Sequence, residues 1–168
     1  MSYLGLPPIP SDLKSIAPYL QRAQETKTQD PVISYWCTSW AYLHLCVLPT
    51  RPFVGAYYAA QVGISLKAVS TPNRAFLAAL LTSLENLRSS VSSSDGITVE
   101  SAATAYVENF ALRVFASADD EDRRGVPTRK TAKKFLAAST FFDVLNVFED
   151  RGAWEAVSYH ISFSFLIN

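Results

Sequence analysis

Glu108–Gly125, ENFALRVFASADDEDRRG, decides the fold of this chain. Together with Val107 just upstream, Phe110, Ala111, Val114 and Phe115 recur at helical spacing, so one side of the cylinder is apolar. The second half, Ala118-Asp119-Asp120-Glu121-Asp122, carries four acidic side chains in a row and reads as a solvated turn, because burying them unpaired costs too much. Gly125 and Pro127 close it: glycine accepts left-handed geometry and proline cannot continue a helix.

Working outward, the same period recurs on both sides. The helix holding this stretch is predicted from Thr98 to about Asp119, with Val99, Ala103, Tyr106, Val107, Phe110 and Val114 inward. The next runs from Thr128 to about Glu149 on a stripe of Phe135, Leu136, Ala138, Phe142, Leu145 and Phe148. Upstream, Thr71 caps a helix, Pro72 takes its first position, and Phe76, Leu77, Leu80, Leu84, Leu87 and Val91 form its stripe. Between these, Ser92-Ser93-Ser94-Asp95-Gly96 reads as a linker.

Nearer the N-terminus, residues 1–10 form a proline-rich lead-in that favours extended structure. The first helix carries Leu13, Ile16, Ala17, Leu20 and Ala23, with Ser11 as candidate N-cap. Pro18 conflicts with a helix interior, which places the helix start near Ser15 with Pro18 in the first turn. Asp30-Pro31 opens the second helix as N-cap and first residue.

Two stretches break the pattern. Thr38–Gly55 holds two prolines and almost no helical period, whereas joining Cys37 to Ala56 gives a continuous helix ending at Gly63. Residues 38–55 are therefore expected to be an irregular insertion, of the kind a retained intron leaves. From Val157 to Ile167 apolar and polar residues alternate with period two, a strand pattern with no partner strand elsewhere. The continuous helical reading is expected to end near Glu149 or Asp150, again as intron read-through would produce.

Composition narrows the classes of function. Net charge is zero, so no basic excess recommends nucleic acid or acidic membranes. The N-terminus lacks the charged and apolar regions of a signal peptide, and two cysteines, Cys37 and Cys46, suit free thiols in the cytosol. The apolar run from Trp36 to Leu48 is cut by Pro49, Arg51 and Pro52 and falls short of a membrane span. His44, Cys46 and Cys37 lack metal-site spacing, no phosphate-binding glycine loop exists, and Asp119–Asp122 lacks the spacing of a calcium loop. No metal, cofactor or catalytic residue is assigned.

What remains is binding surface. Arg74, Ala78, Leu81, Glu85 and Arg88 fall on one flank of the 71–91 helix, suited to a partner helix with a leucine against Ala78 and Leu81 and a base against Glu85. Leu81 equally fits a widened core stripe. Leu112 and Phe115 flank the next helix in the same way, for a partner or for a further helix.

Glu108–Gly125 also closely resembles the signature of the Vta-type regulators of the vacuolar protein sorting AAA ATPase. Leu6-Pro7-Pro8-Ile9-Pro10 with Leu13–Ile16, Gln24-Glu25, Asp30–Cys37, and Lys134–Ser139 with Asp143-Val144 and Val147-Phe148 extend the resemblance over most of residues 4–149. It implies an all-α fold of tandem MIT-like three-helix bundles: a lead-in (1–10), a first unit (11–91) holding the insertion 38–55, a linker (92–97), an incomplete second unit (98–150) and a divergent tail (151–168). It further implies a non-enzymatic adaptor for C-terminal helical motifs of ESCRT-III subunits in multivesicular body formation, cytoplasmic and peripheral to the endosome membrane through its partners. In such regulators a separate C-terminal domain dimerises and stimulates the ATPase; this sequence ends before one, so its link to the ATPase is expected to be indirect. The competing expectation is a purely structural helical module.

Overall fold

A computed structural model describes residues 3–46, 71–125 and 127–149. Every regular element among them is helical, as expected. A 3-10 helix at Ser11–Ile16 leads into α1 (Ala17–Thr26). Then follow α2 (Pro31–Cys46), α3 (Thr71–Val91), α4 (Asp95–Thr98), α5 (Glu100–Arg123), α6 (Arg129–Val144) and α7 (Asn146–Glu149).

The start of α1 settles the Pro18 conflict. The tight 3-10 turns run to Ile16, and Pro18 lies in the first turn of the α-helix, where its missing N–H has no partner to lose. Ser11 makes no side-chain cap; Pro10 occupies the cap position of the 3-10 helix. The lead-in is partly folded: Leu4 and Leu6 are buried, and the Leu4 N–H donates to Gln24 Oε1 of α1 at 2.7 Å.

α2 is the central element, and it is helical over 38–46 of the expected insertion 38–55. The helix does not stop at Cys37 but continues to Cys46. Val32 through Ser39 are all buried, as are Ala41, Tyr42 and Leu43. A helix enclosed on every side shows no apolar stripe, which is why periodicity failed here. It packs against α1, α3, α5 and α6. Its buried hydroxyls are satisfied locally: Ser34 Oγ donates to the Ala23 carbonyl at 2.8 Å, Thr38 Oγ1 to the Ser34 carbonyl at 2.8 Å, and Ser39 Oγ to the Tyr35 carbonyl at 2.9 Å. The remainder of the expected insertion, 47–55, the helix end at Gly63, and the tail 151–168 lie outside the described residues.

α3 buries Phe76, Leu77, Leu80, Leu84, Leu87 and Val91, the stripe read from sequence. Within the stretch expected to be a linker, Ser92, Ser93 and Asp95 are exposed, but its end is packed. Ser94 caps α4 by accepting from the Gly96 N–H, and Gly96 and Ile97 are buried. One apolar core runs from Leu4 and Ile16 through Trp36 and Leu84 to Val107, Phe141 and Phe148. Residues assigned to a first and a second unit therefore share it.

α5 and α6 form an antiparallel hairpin. Here the acidic stretch is helix rather than turn: α5 continues to Arg123, with Ala118 buried just before the acids. Two of the four acidic side chains, Asp119 and Glu121, are held by pairing. Arg123 Nε meets Asp119 Oδ2 at 2.8 Å one turn back, and Glu121 reaches across to α6. Gly125, at φ +74°, then reverses the chain as expected. Thr128 and Thr131 close a reciprocal capping box on α6. The buried face of α6 is Ala137, Ala138, Phe141 and Val144, with Val147 and Phe148 beyond; Leu136, expected inward, is 70% exposed. Apolar residues wrap the helix more widely than its core face, and the period alone selected the wrong edge of that band.

Candidate partner-binding surface

α5 presents exposed large hydrophobic side chains away from its core face. Tyr106, Leu112 and Phe115 are 40%, 45% and 42% exposed. Tyr106, Asn109, Leu112, Arg113 and Ala116 line a shallow groove of about 480 Å³. Their spacing places them opposite the buried Ala103, Val107 and Ala111, so α5 presents apolar side chains on both sides. Arg113 sits over the Phe110 ring, 5.5 Å from its centroid, which keeps a cation at the groove edge. Tyr106, expected in the core, instead donates its hydroxyl to Asp30 Oδ2 at 3.0 Å. The other oxygen of Asp30 accepts from the Ile33 N–H at 3.1 Å, so one carboxylate caps α2 and fixes the groove's upper end. Burial, the nearby Asp30 charge and this bond together raise the Tyr106 pKa above the ordinary tyrosine value.

Leu112 and Phe115 do not form one patch. Leu112 faces out within the groove, whereas Phe115 turns toward α6 and meets Phe135 edge-to-face at 5.5 Å. Leu136 on α6 and Val99 at the start of α5, both placed inside by the sequence reading, are likewise exposed. On α3, Arg74 and Ala78 are exposed, while Leu81 and Glu85 are half-buried. Leu81 packs against the core yet keeps one side to solvent, so it serves both readings left open above. The α3 set and the α5 set lie on different elements.

The N-terminal end of α6 is tied to α5 by a polar cluster. Glu121 accepts from Thr131 Oγ1 at 2.9 Å and pairs with Lys134, which also donates to Ser117 Oγ at 2.8 Å. Those hydrogen bonds hold the Glu121 carboxyl below the usual carboxylate range.

Two of the three suspected ligand-bearing residues, Cys37 and His44, fall into packing roles. Cys37 is buried, and burial pushes its thiol well above the ordinary value. His44 packs against Tyr19 and Trp40 at 6.0 and 5.9 Å between ring centroids, and burial lowers its pKa against the opposing pull of Asp143. Among the described residues no group of three His, Cys, Asp or Glu side chains is arranged to hold a metal. None of the described helices is long and apolar enough to cross a membrane.

These features define a helical-bundle protein. The family described as Vta1 like matches residues 15–50 and 53–164, and the chain belongs to it. The match takes in residues 38–50, of which α2 comprises 38–46, and extends over 151–164. The human vacuolar protein sorting-associated protein VTA1 homolog is 35% identical over 143 residues, covering 85% of this chain and 41% of that protein. The vacuolar protein sorting-associated protein vts1 of Schizosaccharomyces pombe is 31% identical over 140 residues, covering 83% of this chain and 31% of its own. The Arabidopsis thaliana protein named homolog of mammalian LYST-interacting protein 5 is 33% identical over 135 residues, covering 80% and 27% respectively. This chain thus spans about two fifths of the length of the mammalian relatives it matches.

Proposed function

We propose that this chain serves vacuolar protein sorting as a non-enzymatic adaptor that captures a partner's amphipathic helix. The partners are ESCRT-III subunits, recognised through their C-terminal helical motifs during multivesicular body formation. The protein works at the cytoplasmic side of the endosome, bound to the membrane only through these partners. Its bearing on the disassembling AAA ATPase is indirect and runs through the ESCRT-III substrate it holds.

The observation that carries this reading is the apolar face of α5. Tyr106, Leu112 and Ala116 form a strip at helical spacing, opposite the helix's own core face. An amphipathic helix laid along it would place leucines against Leu112 and Ala116 and an acidic residue beside Arg113. Two of the relatives are named for vacuolar protein sorting, which supports the cellular setting. The flank of Arg74, Ala78, Leu81 and Glu85 on α3 is proposed as a second contact, with a basic residue against Glu85. Titration of the isotopically labelled chain with a synthetic ESCRT-III C-terminal peptide tests this. Saturable shifts on either face support an adaptor; a folded chain with no shifts is a structural module instead.

A further inference from the structure

Three half-buried aromatic rings and one exposed carboxylate converge where α1, α2 and α6 meet. Trp40 and His44 lie one turn apart on α2, and Tyr19 comes from α1. Their ring centroids form a nearly equilateral triangle: Tyr19 to Trp40 6.3 Å, Tyr19 to His44 6.0 Å and Trp40 to His44 5.9 Å. The ring planes are tilted by 90°, 46° and 62° in the same order, so no two of them stack on each other. Tyr19 and Trp40 pack against the core on one side and keep the other to solvent. Asp143 of α6 stands at the rim, its Oδ2 accepting from the Tyr19 hydroxyl at 3.4 Å. This carboxylate makes no ion pair with a described residue. His44 Nδ1 likewise has no hydrogen-bond partner among the described residues. Burial lowers the His44 pKa, so at neutral pH the ring adds no positive charge to the cluster.

We propose that this corner seats an arginine side chain of a partner polypeptide, its guanidinium against the Tyr19, Trp40 and His44 rings and forked onto Asp143. Charge complementarity selects a cation: three π systems and an unpaired carboxylate surround one point, and nothing positive among them opposes it. A cation over the middle of the triangle lies within about 6 Å of all three centroids, the reach of a cation–π contact. The carboxylate then selects among cations. Guanidinium is planar and weakly hydrated, and its parallel N–H groups match a carboxylate while its face lies on an aromatic ring. A lysine ammonium is a strongly hydrated point charge, and a quaternary ammonium has no N–H to give Asp143. The rigidity of α2 holds the seat in shape, since Ser39 and Ala41 on either side of Trp40 are fully buried. The residues of this seat lie outside both proposed helix-binding faces, and the inference does not rest on the helix-binding reading of α5.

The test titrates the isotopically labelled full chain with a capped glycine–serine–arginine–serine–glycine peptide. Counterpart peptides carry lysine, trimethyl-lysine or citrulline in place of the arginine. The Trp40 indole N–H and the Tyr19 and His44 ring signals report on the seat. The arginine peptide is expected to shift all three saturably. Citrulline keeps the shape and loses the charge, so it should bind at least tenfold more weakly, and lysine at least threefold more weakly. Asp143→Asn changes an exposed side chain and should leave the fold intact while weakening the arginine peptide at least fivefold. Trp40→Leu should abolish binding; should that variant fail to fold, Asp143→Asn and the citrulline peptide decide. A folded chain whose three signals do not respond saturably to the arginine peptide overturns the proposal. So does citrulline binding as well as arginine, or binding indifferent to Asp143→Asn. Lysine or trimethyl-lysine binding as tightly as arginine overturns the guanidinium assignment.

Discussion

The indole Nε1 of Trp36 donates a hydrogen bond to the carbonyl of Gly96 at 2.8 Å, in a buried setting and across 60 residues of chain. Phe148 closes over the same indole edge-to-face at 4.8 Å. One side chain of α2 thus joins the α4 segment and the end of the α6–α7 arm. Asp30 with Tyr106 and Tyr19 with Asp143 make the same connection at the periphery, at 3.0 and 3.4 Å. The stretch expected to be a linker thus supplies, at Gly96, one of the buried contacts of α2.

Replacing Trp36 with Phe therefore acts on both halves at once. It leaves a buried carbonyl without a donor, which costs about 1–3 kcal/mol, and opens space beneath Phe148. Denaturant unfolding followed separately by α3 and α5 probes should show one shared transition displaced to lower midpoint. Two transitions, only one of them displaced, would mean that the halves are independent.

Leu43 tests whether residues after Cys37 belong to the fold. It is 2% exposed on α2, so Leu43→Ala should lower stability by about 2–5 kcal/mol in a chemical denaturation. A dispensable insertion would tolerate the change, and deleting Thr38–Gly55 would then raise the melting temperature. The buried Thr38, Ser39, Ala41 and Tyr42 lead us to expect that the deletion lowers it.

Glu121 gives the fold a pH dependence on the acid side. Its folded pKa is depressed below the ordinary 4.5 by Lys134 and Thr131. A depressed carboxyl contributes stability above its unfolded pKa and loses it as pH falls through the folded value. Thermal melts should show the α5–α6 hairpin weakening as pH drops below about 4.5. Glu121→Gln should flatten that limb, and a profile unchanged by the substitution would remove Glu121 as its source.

Cys37 provides a reading of core integrity. Because burial both shields it and disfavours its thiolate, it should resist an aromatic disulfide reagent until the protein unfolds. The measurement is made in a Cys46→Ser background. Rapid modification of the folded protein would show that α2 is not enclosed.

How much of this was legible in the sequence depended on how each helix is exposed. α3 is covered on one face, so its stripe from Phe76 to Val91 could be read directly. The Asp30 cap, the first-turn position of Pro18 and the left-handed Gly125 follow from local chemistry and were equally readable. α2 was not, because a helix surrounded on all sides carries no polar face to set its period. The acidic residues of α5 were misread as a turn because the pairing of Asp119 with Arg123 and of Glu121 with α6 lies partly outside local sequence. Leu112 was correctly placed off the core stripe, but Leu136 and Tyr106 exchanged inside for outside, since a band of apolar residues wider than the buried face does not mark its own edges.

The apolar face of α5 carries the functional account, and Leu112 is its centre. The most direct measurement is the affinity of the folded chain for a synthetic ESCRT-III C-terminal helix, with and without Leu112→Asp. A charge on this exposed position should leave the fold intact and weaken binding at least tenfold, about 1.4 kcal/mol. Saturable binding unaffected by Leu112→Asp would contradict the placement of the site on α5, and no binding by the unaltered chain would contradict the adaptor function itself.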